Sequence, residues 1–97
     1  MKAYELIQNP ENWTKGGFAR NKLNVFVNER SPEACSFCAA GAIYKIYGSG
    51  RELNLMENYH ELLFHVRVAG YLGITNWNDS YTQDHKKVYE TLRKFDL

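Results

Sequence analysis

Two cysteines three residues apart, Cys35 and Cys38, precede two histidines, His60 and His65. Two thiolates and two imidazoles would complete a tetrahedral zinc site. The spacing argues against it. Cys38 and His60 are separated by 21 residues, against about 12 in a standard zinc finger. Histidines five positions apart do not share a helical face. A redox role for the Cys-x-x-Cys pair would need a strand-helix-strand surround, and none is legible. Both cysteines are read as small buried hydrophobes. The expected metal set and the expected cofactor set are therefore empty.

The same residues suggest a second chemistry. Cys38, then His60 or His65, then Asn78 or Asp79 follow the chain order of papain-like hydrolases, as nucleophile, base and orienting group. A catalytic thiolate needs a lowered pKa, for instance in the first turn of a helix. The periodicity predicts Cys38 about two turns into its helix, where the dipole has faded. No oxyanion hole is legible. Cys38, His65 and Asp79 thus stand as the catalytic alternative to a chain with no catalytic residues.

A third cluster is Trp77-Asn78-Asp79. One reading has Trp77 anchoring a loop while Asn78 or Asp79 bonds backbone groups and caps the last helix. The other has Asn78 and Asp79 presented in a pocket beside Trp77 and Trp13. Asp79, Asp84 and His85 follow no metal-loop pattern and read as a solvated helix start. Tyrosine is enriched at protein interfaces. Tyr44, Tyr47 and Tyr89 lie off or at the edge of the apolar stripes, so they join the candidate partner-binding set.

These residues must be positioned by a short chain. It has 97 residues, 12 Lys plus Arg, 11 Asp plus Glu and a net charge of +1. That is one domain's worth of chain, expected over residues 1–97, with enough length for a core. Neutrality argues against general nucleic-acid binding, which rests on neutralising phosphates. A weak contact through Lys86, Lys87, Arg93 and Lys94 on the last helix is the remaining form. No apolar run approaches the roughly 20 residues of a membrane span, and Met1-Lys2-Ala3-Tyr4-Glu5 lacks a signal-peptide core. A soluble, cytoplasmic protein without a membrane partner is expected.

Residues 2–8 predict a short helix with Ala3, Leu6 and Ile7 on one side, ended by Asn9-Pro10. Residues 18–20 and 25–27 predict a hairpin across an Asn21–Asn24 turn. Ser31-Pro32-Glu33 predicts a helix start. Cys35, Cys38, Ala39, Ala42, Ile43 and Ile46 then form a stripe, stopped by Gly48-Ser49-Gly50. Small residues at Ala39, Gly41 and Ala42 predict a close approach by another element. Asn54 with Glu57 predicts a capping box, followed by Leu55, Tyr59, Leu62, Leu63, Val66 and Ala69 at helical spacing as far as Gly70 or Gly73. Residues 74–80 predict a polar loop. The last helix is predicted from Ser80 or Thr82, with Tyr81, His85, Val88, Leu92 and Phe95 on one face.

The sum is a mainly α fold of four helices with a small hairpin after the first. The predicted core is Leu6, Ile7, Trp13, Cys38, Ala42, Ile43, Tyr59, Leu62, Leu63, Val66, Trp77, Val88 and Leu92.

Three segments carry a family resemblance. Trp13-Thr14-Lys15-Gly16-Gly17-Phe18-Ala19-Arg20 resembles a W-x-x-G-x-x-A-R pattern. Phe37-Cys38-Ala39-Ala40-Gly41-Ala42-Ile43 resembles an aromatic-Cys-x-x-Gly-Ala-aliphatic pattern. Trp77-Asn78-Asp79, followed by Thr82 and Val88, resembles a W-N-D pattern. In this order they resemble the domain-of-unknown-function family 6197, small helical proteins of bacteria and their phages. Cys35 has no counterpart in that pattern. The resemblance implies a fold and a short set of positions, and no reaction.

Small size, neutral charge, aromatic excess and the lack of a convincing catalytic set favour a non-enzymatic binding module. It would act on a protein partner, such as a host protein if the chain is phage-encoded, or on its own dimer.

Overall fold

Pro10 decides how the chain begins. The structure, a computed structural model describing residues 1–97, ends α1 early, at Ala3–Leu6. A 3-10 turn follows at Pro10–Asn12. The proline heads this turn, where its missing N–H costs nothing.

The predicted hairpin forms. β1 (Ala19–Arg20) and β2 (Phe26–Val27) pair antiparallel, with Ala19 opposite Val27 and Arg20 opposite Phe26. Asn21 builds the turn. Its backbone carbonyl accepts from Asn24 N–H, and its Oδ1 accepts from the N–H groups of Leu23 and Val25 at 2.9 and 3.1 Å.

A third strand, β3 (Ser36–Phe37), pairs with the other edge of β1, giving the order β2-β1-β3. It occupies positions predicted to be helical. Ser31 does not start a helix. Its hydroxyl accepts from Glu33 N–H in a local turn, and α2 runs only over Ala39–Tyr47. Unpaired β1 backbone explains the outcome: Ala19 is fully buried, and buried N–H and C=O groups must find partners.

The next predicted helix is split. α3 (Arg51–Asn54) ends before α4 (Glu57–Val68) begins, and Asn54 closes α3 instead of capping α4. Gly70 follows α4 with φ +101°, as a helix C-terminus favours.

The predicted loop 74–80 is helical: α5 covers Ile74–Asp79 and buries Ile74 and Trp77 one turn apart. α6 is His85–Lys94, and its cap is Asp84, not Ser80 or Thr82. Asp84 Oδ1 accepts from Lys87 N–H at 2.8 Å. Asp84→Ala is expected to cost about 1 kcal/mol of stability, read by urea unfolding; an unchanged midpoint would assign the cap no energetic role.

The fold is mainly α, with six helices where four were expected and a three-stranded sheet where a hairpin was expected. α2 is the hub: it packs on α1 and α5 and adjoins β3, while α6 packs on α1 and α4 on α3 and α5. Seventeen buried apolar residues form one cluster. Nine of the predicted core residues lie in it, and Leu6, Trp13, Tyr59 and Leu63 pack against it half-buried. No helix is long and apolar enough to cross a membrane.

Candidate functional site

The three motif segments meet at one side chain. Asn78 ends the buried face of α5 and is fully buried. Its Oδ1 accepts from Trp13 Nε1 at 2.8 Å and from Ala39 N–H at 3.0 Å. Its Nδ2 donates to the Thr14 carbonyl at 3.1 Å and to Asp79 Oδ1 at 2.9 Å. Both amide protons and both oxygen lone pairs are thereby used. Asp79 Oδ1 also accepts from Gly16 N–H at 3.1 Å. Gly16 takes φ +88°, a conformation that favours glycine. Lys15 Nζ reaches across to the Ser80 and Gln83 carbonyls at 2.8 and 2.9 Å. The Asn78–Asp79 pair therefore satisfies backbone groups, as one reading of the sequence expects. The helix end it serves is the start of α2, not that of α6.

Cys38 sits at the N-cap of α2, not two turns inside it. Its Sγ accepts from Gly41 N–H at 3.3 Å. A helix N-terminus favours a thiolate. Burial opposes it and wins, because Cys38 has no exposed surface. Desolvation pushes the thiol up to about 11, against the lowering by Gly41 N–H. A thiol titrating there is protonated at neutral pH and is a poor nucleophile.

The structure brings Cys38, Asn78 and Asp79 near one another through the start of α2, but joins no histidine to Cys38. His60 Nε2 bonds the Asn54 carbonyl at 2.7 Å, and His65 packs edge-on to Phe95 at 5.4 Å between ring centres. No three His, Cys, Asp or Glu side chains come together as a metal-binding group. In the folded protein near neutral pH, a thiol reagent is expected to label the half-buried Cys35 only. Cys38 should add a second label on unfolding in urea, counted by intact mass. Labelling of native Cys38 as fast as Cys35 would restore the nucleophile reading.

The central motif positions thus have structural tasks. Trp13 and Asn78 bond each other, Cys38 and Asn78 satisfy N–H groups at the start of α2, Ala19 and Trp77 fill the core, and Arg20 lies over the Phe26 ring at 4.0 Å. The sequence model of a family of unknown function, DUF6197, matches residues 1–95. The chain belongs to that family. No curated protein and no solved structure matches it.

In this DUF6197 member the candidate tyrosines are half-buried and engaged. Tyr44 meets the Phe18 ring edge-on at 5.5 Å, and burial, with Tyr59 beside it, raises its pKa. Tyr47 donates to the Leu97 carbonyl, and Tyr89 stacks on His85 at 5.9 Å. Trp77 and Asn78 have almost no surface to offer a partner.

The exposed apolar surface lies elsewhere. Phe64 and Val68, one turn apart on α4, are 71% and 70% exposed. With Glu57, His60, Glu61, His65, Ala69 and Phe95 they line an open groove of about 620 Å³. Sequence reasoning missed this face because it followed the buried stripe Tyr59-Leu62-Leu63-Val66. The signal was the remainder: Phe64 and Val68 are large apolar residues on the opposite side of the same helix.

Proposed function

We propose that this DUF6197 member is a non-enzymatic protein-binding module, and that the groove between α4 and the end of α6 is its contact face. The carrying observation is the exposed Phe64–Val68 pair, continuous with Phe95 in one concavity. A single exposed apolar residue is ordinary. A contiguous apolar concavity rimmed by polar groups marks an interaction site. Burial of Cys38 and its raised pKa count against the cysteine-hydrolase alternative.

The test places a photo-crosslinking phenylalanine analogue at position 64, and separately at Tyr81, in cells that naturally make the protein. Tyr81 is 95% exposed and does not line the groove. A discrete adduct from position 64 and none from 81 is the expected result. No adduct from 64, or the same smear from both, would overturn the proposal.

A further inference from the structure

The molecule exposes a second apolar feature, at a hairpin tip whose Lys22 and Leu23 also border a small concavity with Glu33 and Cys35. At the tip of the β1–β2 hairpin Leu23 is 82% exposed and Val25 54%, with Lys22 exposed beside them. The tip is held rigid from within. Asn21 binds three backbone N–H groups of its own turn, and Asn24 sits in the left-handed region at φ 63°. A knob fixed in one conformation binds with little ordering cost.

Its chemistry matches the groove. The groove has apolar walls of Phe64, Val68 and Phe95, and the charged side chains lining it are Glu57 and Glu61. The knob has apolar Leu23 and Val25 beside the cation Lys22. Lys94, whose ammonium stands 5.7 Å from the Phe95 ring centre, is a cation beside the α6 end of the groove. Opposed charge therefore favours Lys22 at the α4 wall.

We infer that the occupant of the groove is the Lys22–Val25 hairpin tip of a second copy of this chain, with Leu23 seated against Phe64, Val68 and Phe95 and Lys22 facing Glu57 and Glu61. The inference rests on the groove's being a contact face and adds its partner. Knob and groove are different surfaces, so two copies either exchange both contacts in a closed two-fold dimer or join head to tail. Only the head-to-tail arrangement closes into larger rings or grows into open chains. A knob-in-groove contact is smaller than a standard interface, so its dissociation constant lies roughly in the micromolar to millimolar range.

Sedimentation velocity on the full chain, up to about 1 mM to cover that range, tests it together with Leu23→Glu and Phe64→Glu. Both positions are largely exposed, so both variants keep the fold, and circular dichroism checks this. Wild type is expected to associate as concentration rises, to a closed dimer or beyond it. Each variant alone should be monomeric, with association weakened about tenfold or more. Mixed together they should form a one-to-one dimer that grows no further, since Leu23→Glu retains the groove and Phe64→Glu retains the knob.

Wild type that stays monomeric overturns the inference. So does Leu23→Glu that associates like wild type, since that result means α4 faces pairing with each other. Monomeric wild type together with a position-64 adduct to another protein would refute the self-contact alone and leave the binding-module proposal standing.

Discussion

Asn78→Ala is expected to remove about 4 kcal/mol or more of stability. The variant leaves Trp13 Nε1–H, Ala39 N–H and the Thr14 carbonyl without the partner each now has. A buried polar group stripped of its partner costs about 1–3 kcal/mol, and the lost side-chain volume adds to that. Whole domains of this size have about 5–15 kcal/mol to lose, so the variant should be partly unfolded at room temperature. Urea unfolding followed by tryptophan fluorescence reads this directly, since Trp13 is a partner and Trp77 an immediate neighbour.

Asn78→Asp separates hydrogen bonding from size. The carboxylate keeps both acceptor contacts but loses the two donors, and it faces Asp79 Oδ1, now 2.9 Å from Nδ2. Burial and that like charge push the new carboxyl above its unfolded value. A group whose folded pKa is raised contributes stability below its unfolded pKa, about 3.9 for aspartate, and loses it as pH rises. The deficit of Asn78→Asp relative to wild type should therefore be smaller at pH 4 than at pH 7. A deficit equal at both, or Asn78→Ala within 1 kcal/mol of wild type, would remove Asn78 from the centre of the fold.

The positions of these residues were legible in the chain, but their partners were not. Trp13, Cys38, Gly41, Asn78 and Asp79 all stand out by type and spacing. What joins them is the path of residues 31–38, and there local pattern misled. Ser-Pro-Glu is a strong helix start, and Cys35, Cys38, Ala39 and Ala42 continue a helical stripe. The strand that displaces it, Ser36–Phe37, has only two residues, too short for an alternating pattern to register. It forms because β1 needs a partner on its second edge, a tertiary demand that overrides propensity. Cys38 consequently begins a helix instead of lying inside one.

α5 is hidden in the sequence for a similar reason. Its six residues include Thr75, Asn76, Asn78 and Asp79, which read as a loop. Ile74 and Trp77 alone supply its buried face, and two anchors do not make a period. The hairpin was legible because its Asn-rich turn is a local device: Asn21 makes its hydrogen bonds within four residues. Local chemistry, in short, was readable from local sequence. The Asn78 contacts to Trp13, Thr14 and Ala39, which span 39 to 65 positions, were not.

Gly41→Ala separates these two levels by sign. Helix propensity alone predicts a gain of about 1 kcal/mol, since Gly41 lies within α2. The tertiary contact predicts the reverse. A methyl group built on Gly41 would lie 2.0 Å from the Phe18 carbonyl oxygen and 2.8 Å from its carbon. The obstacle is backbone, so no side chain can rotate away. Nor is the carbonyl free to move, because it accepts Cys38 N–H at 3.1 Å at the start of the same helix, and the next residue, Ala19, pairs with Val27 and Phe37. Relief requires either parting α2 from the sheet or breaking that bond, and overpacking of this kind costs about 1–3 kcal/mol or more. Because the contact joins two backbones, the cost should sit at the upper end and exceed the propensity gain. A net loss of about 2 kcal/mol or more is expected by urea unfolding. Gly50→Ala is the control: nothing lies within 4 Å of the added methyl there, so it carries no steric cost and should lose no more than about 1 kcal/mol, the scale of its N-cap position on α3. Stabilisation of Gly41→Ala would mean that α2 and the β1 strand do not touch at this point, and the small-residue stripe would then need another explanation.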